Sequence, residues 1–345
     1  MQSKEVVVAG GGPAGAFCAL NLAKKGIYAT VIDHTHPREK PCGGAILPSV
    51  LDKFPFVEEF RSKSGSLADV RIITPTNREI TTNRFEKGFT VSRLIFDKGV
   101  LDMATQHGAE LIDEELVGVN RKNGHWKIKT NKRTLSAKTL VGADGANSKV
   151  RGETVGAFSK EDLAITLGYI AVGVEKEKPI IKFPGGIKGY IWSFPRDNHS
   201  SIGIGSEIKD QKKLQKMLDD FISCYCPKIK IISRFAAMIP SAKSNIFFKS
   251  KCAEKDWILV GDAAGHVDPI SRDGILYALW SSKLAAEAIE KNNLASYETN
   301  WREQYGVHLE KQRECVDIFY NPFVLEMSIM GNSFFSNSDL NWVQV

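Results

Sequence analysis

Six residues near the N-terminus, Gly10-Gly11-Gly12-Pro13-Ala14-Gly15, fit the spacing G-x-G-x-x-G. Phosphate binding is the chemistry of such a turn. Gly10 allows the tight bend, Gly12 lets the backbone approach a pyrophosphate, and Gly15 lets the following helix pack closely on the strand before it. The helix N-terminus then presents free N–H groups and the positive end of its dipole to the phosphates. Asp33 closes the next apolar run, where a carboxylate can accept hydrogen bonds from a ribose hydroxyl pair. The glycine spacing alone does not separate a flavin from a nicotinamide dinucleotide.

The elements that must position this turn are legible around it. Val6 to Ala9 is a continuous apolar run, as expected of a buried parallel strand. Ala14 to Lys25 reads as a helix stopped by Gly26, and Tyr28 to Ile32 as a second strand. Residues 67–91 carry short alternating pieces expected to be antiparallel strands, and Arg93 to Gln106 is helical. Strands return over 109–143, with a hairpin turn at Asn123-Gly124. Residues 152–250 hold alternating strand patterns at 165–174, 180–183, 190–194 and 201–205, interrupted by one helix from about Lys212 to Ser223. Trp257 to Val260 is again a buried strand, and 274–331 is helical. Within it Tyr297, Trp301, Tyr305 and Leu309 recur every four residues, an amphipathic stripe.

Further motifs sit at strand ends. Gly142-Ala143-Asp144-Gly145 resembles the "DG" motif of flavoprotein hydroxylases and their relatives. Gly261-Asp262-Ala263-Ala264-Gly265 resembles that superfamily's second FAD motif, whose aspartate contacts the ribityl chain. Val91-Ser92-Arg93 followed by Phe96-Asp97 resembles the segment supplying an arginine near the flavin's sugar and phosphates. Lys40-Pro41-Cys42-Gly43-Gly44, Tyr190-Ile191-Trp192-Ser193-Phe194-Pro195 and Asp268-Pro269-Ile270 with Gly274-Ile275 look like signatures of the geranylgeranyl reductase family. The resemblance covers residues 4–290 in pattern and order.

The resemblance implies an α/β (α+β) chain with an FAD-binding βαβ fold and an inserted, mostly antiparallel substrate domain. FAD-binding segments are expected at 1–65, 92–160 and 252–292, the substrate domain at 66–91 and 161–251, and a C-terminal helical segment at 293–345. It implies FAD as cofactor and a hydride from reduced flavin to the double bonds of a polyprenyl chain. Gly10, Gly12, Pro13, Ala14, Gly15, Asp33, Arg93, Asp144, Gly261, Asp262, Gly274 and Ile275 are the expected cofactor contacts. Tyr190, Trp192 and Phe194 share one face of a strand and are expected to line a substrate tunnel, or else to pack a half-buried sheet face. Cys42 is the catalytic candidate. A thiol is mostly protonated at neutral pH and can give a proton to the alkene; its alternatives are packing on the flavin ring or filling a glycine turn. Where many relatives are richer in glycine, this chain has Ser271-Arg272-Asp273, and Arg272 either places positive charge near the flavin or is a surface charge.

Composition limits the remaining readings. The chain has 345 residues, 43% hydrophobic and 25% charged, with net charge +6 and no basic run of five, so no nucleic-acid footprint is expected. Six scattered cysteines without C-x-x-C spacing read as reduced thiols, no N-terminal signal peptide is evident, and no run of eighteen apolar residues exists. A cytoplasmic protein is expected. The apolar stretch Phe319, Tyr320, Phe323, Leu325, Ile329, Phe334 and Phe335 reads as a lid, as a membrane-facing entrance giving peripheral membrane contact, or as core. No second dinucleotide turn is evident, so NAD(P)H visits transiently or a ferredoxin brings the electrons. Three other functions share the motifs: a flavin monooxygenase or halogenase, a cyclase using reduced flavin without net redox, and a flavin-binding assembly module. Halogenases carry W-x-W-x-I-P where this chain has Tyr190 and Phe194, which favours the reductase.

Overall fold

A computed structural model describes residues 2–122, 124–174 and 176–331. Its centre is a mixed sheet whose parallel core runs, in spatial order, Trp257–Leu259, Thr134–Gly142, Gln2–Ala9, Ala29–Ile32 and Glu110–Ile112. Parallel strands covered on both faces need apolar residues throughout, and Val6 to Ala9 is buried at every position. The hairpin Leu116–Lys122 and His125–Thr130 joins the outer half of the Thr134–Gly142 strand. Its turn includes Asn123, which lies outside the described residues.

The first helix spans Pro13–Lys24, with proline at its first turn. Gly26, at φ +72°, ends it, and the N–H groups of Gly26 and Ile27 bond back to Ala23 and Leu22. This helix packs between the Arg93–Gln106 and Ile275–Glu290 helices. Ser282 on the last of these donates to the Ala14 carbonyl at 2.6 Å, so the C-terminal half of the chain is bonded to the glycine turn at the N-terminus.

A second sheet of seven strands follows the order Lys230–Pro240, Leu163–Val172, Ser200–Glu207, Tyr190–Pro195, Ile180–Lys182, Val70–Ile73 and Glu79–Thr82. All its pairings are antiparallel except that of Ile180–Lys182 with Val70–Ile73. The helix Gln211–Tyr225 covers one face, burying Leu214, Leu218 and Phe221 against Ile191, Ile202 and Ile204. The other face carries Tyr190, Trp192 and Phe194 and looks into the molecule. A small third sheet, Ala45–Ile46, Phe89–Val91 and Ser64–Ser66, touches the Tyr190–Pro195 strand of the second sheet through its Ser64–Ser66 strand.

The α/β class and the mostly antiparallel insertion follow the sequence expectation. The Lys230–Pro240 strand was not anticipated: it is an edge strand, exposed over much of its length, and its residues do not alternate cleanly. The four-residue stripe is buried at every position, Tyr297, Trp301, Tyr305 and Leu309 alike. On a regular helix a four-residue step drifts by about 40°. A π-helical stretch at Arg302–Gly306 lies within the stripe and widens the turn there, which keeps all four side chains on the core. Phe334 and Phe335 lie outside the described residues.

Candidate functional site

One cavity of about 490 Å³ opens between the parallel sheet and the aromatic face of the second sheet. Of the expected cofactor contacts, Gly10, Gly12, Pro13, Ala14, Asp33, Arg93, Asp144, Asp262, Gly274 and Ile275 reach its wall. Cys42 and the Tyr190, Trp192 and Phe194 side chains reach it too. Gly15 and Gly261 stand behind the wall. A Cβ on Gly15 would lie 1.8 Å from the Gly10 carbonyl oxygen, and one on Gly261 would lie 2.8 Å from the Ala14 methyl. Both glycines serve close packing under the turn.

The polar arm of the cavity fits a dinucleotide on its own geometry. The first helix starts at Gly12 with no side chain capping it, so its first-turn donors face the cavity. A Cβ on Gly12 would meet only the Arg38 guanidinium, 3.8 Å away, which leaves the approach to the backbone open. Asp33 is fixed at its strand end by the Gly11 N–H at 2.7 Å and by the Thr35 N–H and hydroxyl at 2.7 and 2.6 Å. Burial alone would raise its pKa, but these hydrogen bonds hold it below the usual value. Two cations that motif reading had not assigned a role flank the turn. Arg38 donates to Thr35 at 2.7 Å, and the Lys40 ammonium lies 3.3 Å from Asp262.

Asp144 and Arg93 are more committed than the motifs suggested. Asp144 accepts from the N–H groups of Lys149 and Val150 and from the Ser148 hydroxyl, so it caps the Lys149–Thr154 helix from the cavity wall. Burial outweighs these bonds and raises its pKa. Arg93 is buried, and Asp97 grips its guanidinium at 2.5 and 2.9 Å. Its guanidinium also interacts with the Cys42 side chain.

Cys42 sits on a loop held from beneath by a buried arginine that the motifs did not single out. Arg196, the residue after Pro195, donates to Glu39 at 2.7 Å, to the Cys42 carbonyl at 2.8 Å and to the Gly43 carbonyl at 3.2 Å. Ser201 adds a bond to the Cys42 carbonyl at 2.9 Å. Glu39 also accepts from the Ser92 hydroxyl and the Arg93 N–H. Burial would raise the Glu39 pKa; Arg196 and Ser92 hold it low. Gly43 lets the loop lie against the aromatic strand, since a Cβ there would come 2.7 Å from the Phe194 ring.

The 271–274 loop closes the site from the other side. Tyr190 donates to the Ser271 carbonyl at 2.7 Å, and burial pushes its phenol up. Arg272, at φ +57°, turns its guanidinium to the Lys188 carbonyl at 2.8 Å, so its charge stitches the loop to the second sheet. Asp273 is a further titratable wall residue. Burial pushes its carboxyl up to about 6, although it accepts from the Ile275 N–H at 3.0 Å. A polar phosphate-suited arm and an apolar aromatic arm thus meet at Cys42. Among the described residues no His, Cys, Asp and Glu grouping suits a metal.

Comparison with known proteins places this geometry. Residues 4–168 match the pyridine nucleotide-disulphide oxidoreductase family, and residues 162–239 match the geranylgeranyl reductase catalytic domain. The geranylgeranyl diphosphate reductase of Rhodobacter capsulatus is 31% identical over 301 residues, covering 82% of this chain and 74% of that one. Digeranylgeranylglycerophospholipid reductase 1 of Methanococcoides burtonii is 26% identical, covering 92% and 84%. Among solved structures, a geranylgeranyl bacteriochlorophyll reductase-like protein of Thermoplasma acidophilum superposes with TM-score 0.83 at 25% identity, over 100% of this chain and 94% of that one. A flavin-dependent brominase superposes with TM-score 0.77 at 18% identity, over 98% and 91%, a likeness of fold.

The Arg196–Glu39 pair generates a stability prediction. Arg196→Met leaves the largely buried Glu39 carboxylate without its counter-charge and removes the arginine's bonds to two carbonyls, and is expected to cost about 3 to 5 kcal/mol in urea unfolding of the holoprotein. Because the folded pKa of Glu39 is depressed, the pair's contribution is complete above the ordinary glutamate value, about 4.3, and is lost as pH falls through the depressed value. The gap between wild type and variant should therefore narrow below about pH 4. A pH-independent gap, or none at neutral pH, would show that the pair does not hold the loop.

Proposed function

The chain belongs to the geranylgeranyl reductase family and is an FAD-dependent oxidoreductase; from that premise we propose that it reduces carbon–carbon double bonds of a polyprenyl substrate. The observation that carries the reading is the joining, in one cavity, of a pyrophosphate-suited turn and an aromatic apolar wall, with a thiol at the junction. Bound FAD, once reduced, supplies the hydride; its electrons come from NAD(P)H or a ferredoxin-class carrier. The backbone of Gly10, Gly12, Pro13 and Ala14 would cradle the pyrophosphate, with Arg38 and Lys40 as counter-charges. Asp33 would take the ribose hydroxyls, and Asp262, Gly274 and Ile275 would lie on the side of the ribityl chain and ring.

Tyr190, Trp192 and Phe194 hold the hydrocarbon. An isolated alkene is unpolarised, so the rate rests on fixed geometry and on excluding water, and a buried aromatic wall supplies both. The Cys42 thiol delivers a proton to the alkene carbon that does not take the hydride. Each turnover then adds two hydrogens across one double bond.

A lipid route completes the reading. The Pro322–Met330 helix buries Leu325 and Ile329 in the cluster that contains Trp192 and Phe194. It turns Phe323, Met327 and Met330 outward, with Phe323 72% exposed. We assign this face to a bilayer surface from which the chain enters. No helix among the described residues is long and apolar enough to cross a membrane, so the contact is peripheral.

Three outcomes are expected. Dithionite-reduced holoenzyme given geranylgeranyl diphosphate under argon should reoxidise and yield product heavier by pairs of hydrogens. A flavin that stays reduced until air enters would sink the reading for that substrate. Cys42→Ala should keep its FAD spectrum yet lose about 10²-fold in the rate of single-turnover reoxidation, the usual scale for a lost proton donor; an unchanged rate removes the role. Phe323→Glu with Met327→Glu should lower co-sedimentation with phosphatidylglycerol vesicles, and equal sedimentation of variant and wild type would rule this face out.

A further inference from the structure

The cavity face of the second sheet is floored by three glycines on two adjacent strands. Gly168 pairs with Gly203, and Gly205 lies between Thr166 on one side and Tyr190 on the other. Gly168 and Gly203 each have a packing reason. A Cβ on Gly203 would stand 2.4 Å from the Trp192 indole, and one on Gly168 would stand 2.5 Å from the Phe235 ring. The two rings lie flat over these glycines, 16° from parallel.

Gly205 has neither a packing nor a conformational reason. Its φ lies outside the left-handed region. A Cβ there would meet nothing nearer than the Ile165 carbonyl oxygen at 3.8 Å and Thr166 at 3.9 Å. The tight approach of the Gly189 backbone to the Gly205 carbonyl is accommodated by Gly189, whose own Cβ would lie 1.8 Å from that oxygen. Yet glycine inside a strand costs about 0.5–1 kcal/mol relative to alanine. Where neither turn nor packing demands it, such a glycine marks the close approach of something else.

The space above Gly205 belongs to the cavity and is bounded by Thr166, Tyr190 and Ile239. It is apolar in effect, because the Thr166 hydroxyl donates to the Ile204 carbonyl at 3.1 Å. From the Val70–Ile73 strand to the Lys230–Pro240 strand the face crosses five inter-strand steps of about 4.8 Å, roughly 24 Å, room for several isoprene units end to end. We propose that Gly205 keeps open an apolar bay, over Thr166 and against Ile239, that takes one end of the polyprenyl chain, and that the missing side chain sets the longest chain the enzyme accepts. The proposal rests on the polyprenyl reading above and adds a residue that sets specificity.

The test is a binding titration of oxidised holoenzyme with geranyl, farnesyl and geranylgeranyl diphosphates, followed by flavin absorbance, for wild type, Gly205→Ala and Gly205→Val. A filled bay excludes the end of the longest chain, so Gly205→Val should weaken geranylgeranyl binding about tenfold or more, the scale of one mismatched apolar group in a pocket, and change geranyl binding less than twofold. Gly205→Ala should fall between. The thermal midpoints of both variants should equal or exceed wild type, because the added carbons enter open space. If valine nonetheless unfolds the protein, alanine carries the test alone, since its single carbon meets no atom within 3.8 Å. Equal weakening of all three ligands, or none, overturns the bay while leaving the reductase reading intact. Failure of wild type to bind any of the three overturns both.

Discussion

The site depends on one buried charge. Arg196 is 1% exposed at its side chain and reaches from the second sheet into the loop that carries Cys42. Taking a guanidinium out of water is costly unless it is paired, and here a carboxylate and two carbonyls accept from its two terminal nitrogens, while its Nε has no hydrogen-bond partner among the described residues. All three acceptors lie on the 39–43 segment, so that segment holds one position relative to the aromatic strand. Glu39 passes the constraint on, through Ser92 and the Arg93 N–H, to the start of the Arg93–Gln106 helix. The same helix carries Asp97, which fixes the Arg93 guanidinium beside the thiol. A single buried pair thus sets the distance between the apolar wall, the thiol and the element bordering the cofactor arm.

Glycine performs three separable tasks around that centre. Under the turn, Gly15 and Gly261 let helix and strand approach to distances that no side chain allows. In the thiol loop, Gly43 lets the backbone touch the Phe194 ring, and Gly44, at φ +74°, has a conformation that other residues rarely adopt. On the sheet floor, Gly168 and Gly203 let two aromatic rings lie down. Only the first task is announced by spacing in the chain. The other two arise from atoms brought together by the fold.

That difference explains what the sequence made legible. The βαβ unit, the Arg93–Gln106 helix and the Tyr190–Pro195 strand were readable because each is a local pattern: an apolar run with a glycine turn, a helical stretch, an alternating aromatic strand. The cavity residues named from motifs lie at strand ends, where short motifs and site geometry coincide. Arg196 and Glu39 are 157 residues apart, and their pairing leaves no trace in local spacing. Asp273 was visible only as a departure from a glycine-rich pattern. Its character, a carboxyl pushed up to about 6, comes from burial that only the folded wall creates. The Lys230–Pro240 strand was missed because an edge strand has no need of strict alternation.

The division of the cavity into a charged arm and an apolar arm has a mechanistic consequence. Charges strengthen as water leaves, and so does the cost of any that are unpaired. In the charged arm Lys40 faces Asp262, Arg38 is tied to Thr35, and Asp33 is bonded on both oxygens, so the arm tolerates dryness. In the apolar arm the polar atoms are turned away from the cavity. The Trp192 N–H bonds to Ser201, the Tyr190 hydroxyl to Ser271 and the Thr166 hydroxyl to Ile204. Water entering that arm finds few partners, which favours hydrocarbon in its place. Cys42 is a wall residue, and the arginine that fixes its loop contributes no group to the cavity wall. The position of the Cys42 loop is therefore governed by a residue outside the cavity wall, and the energetic burden of holding it falls on the protein before any ligand arrives.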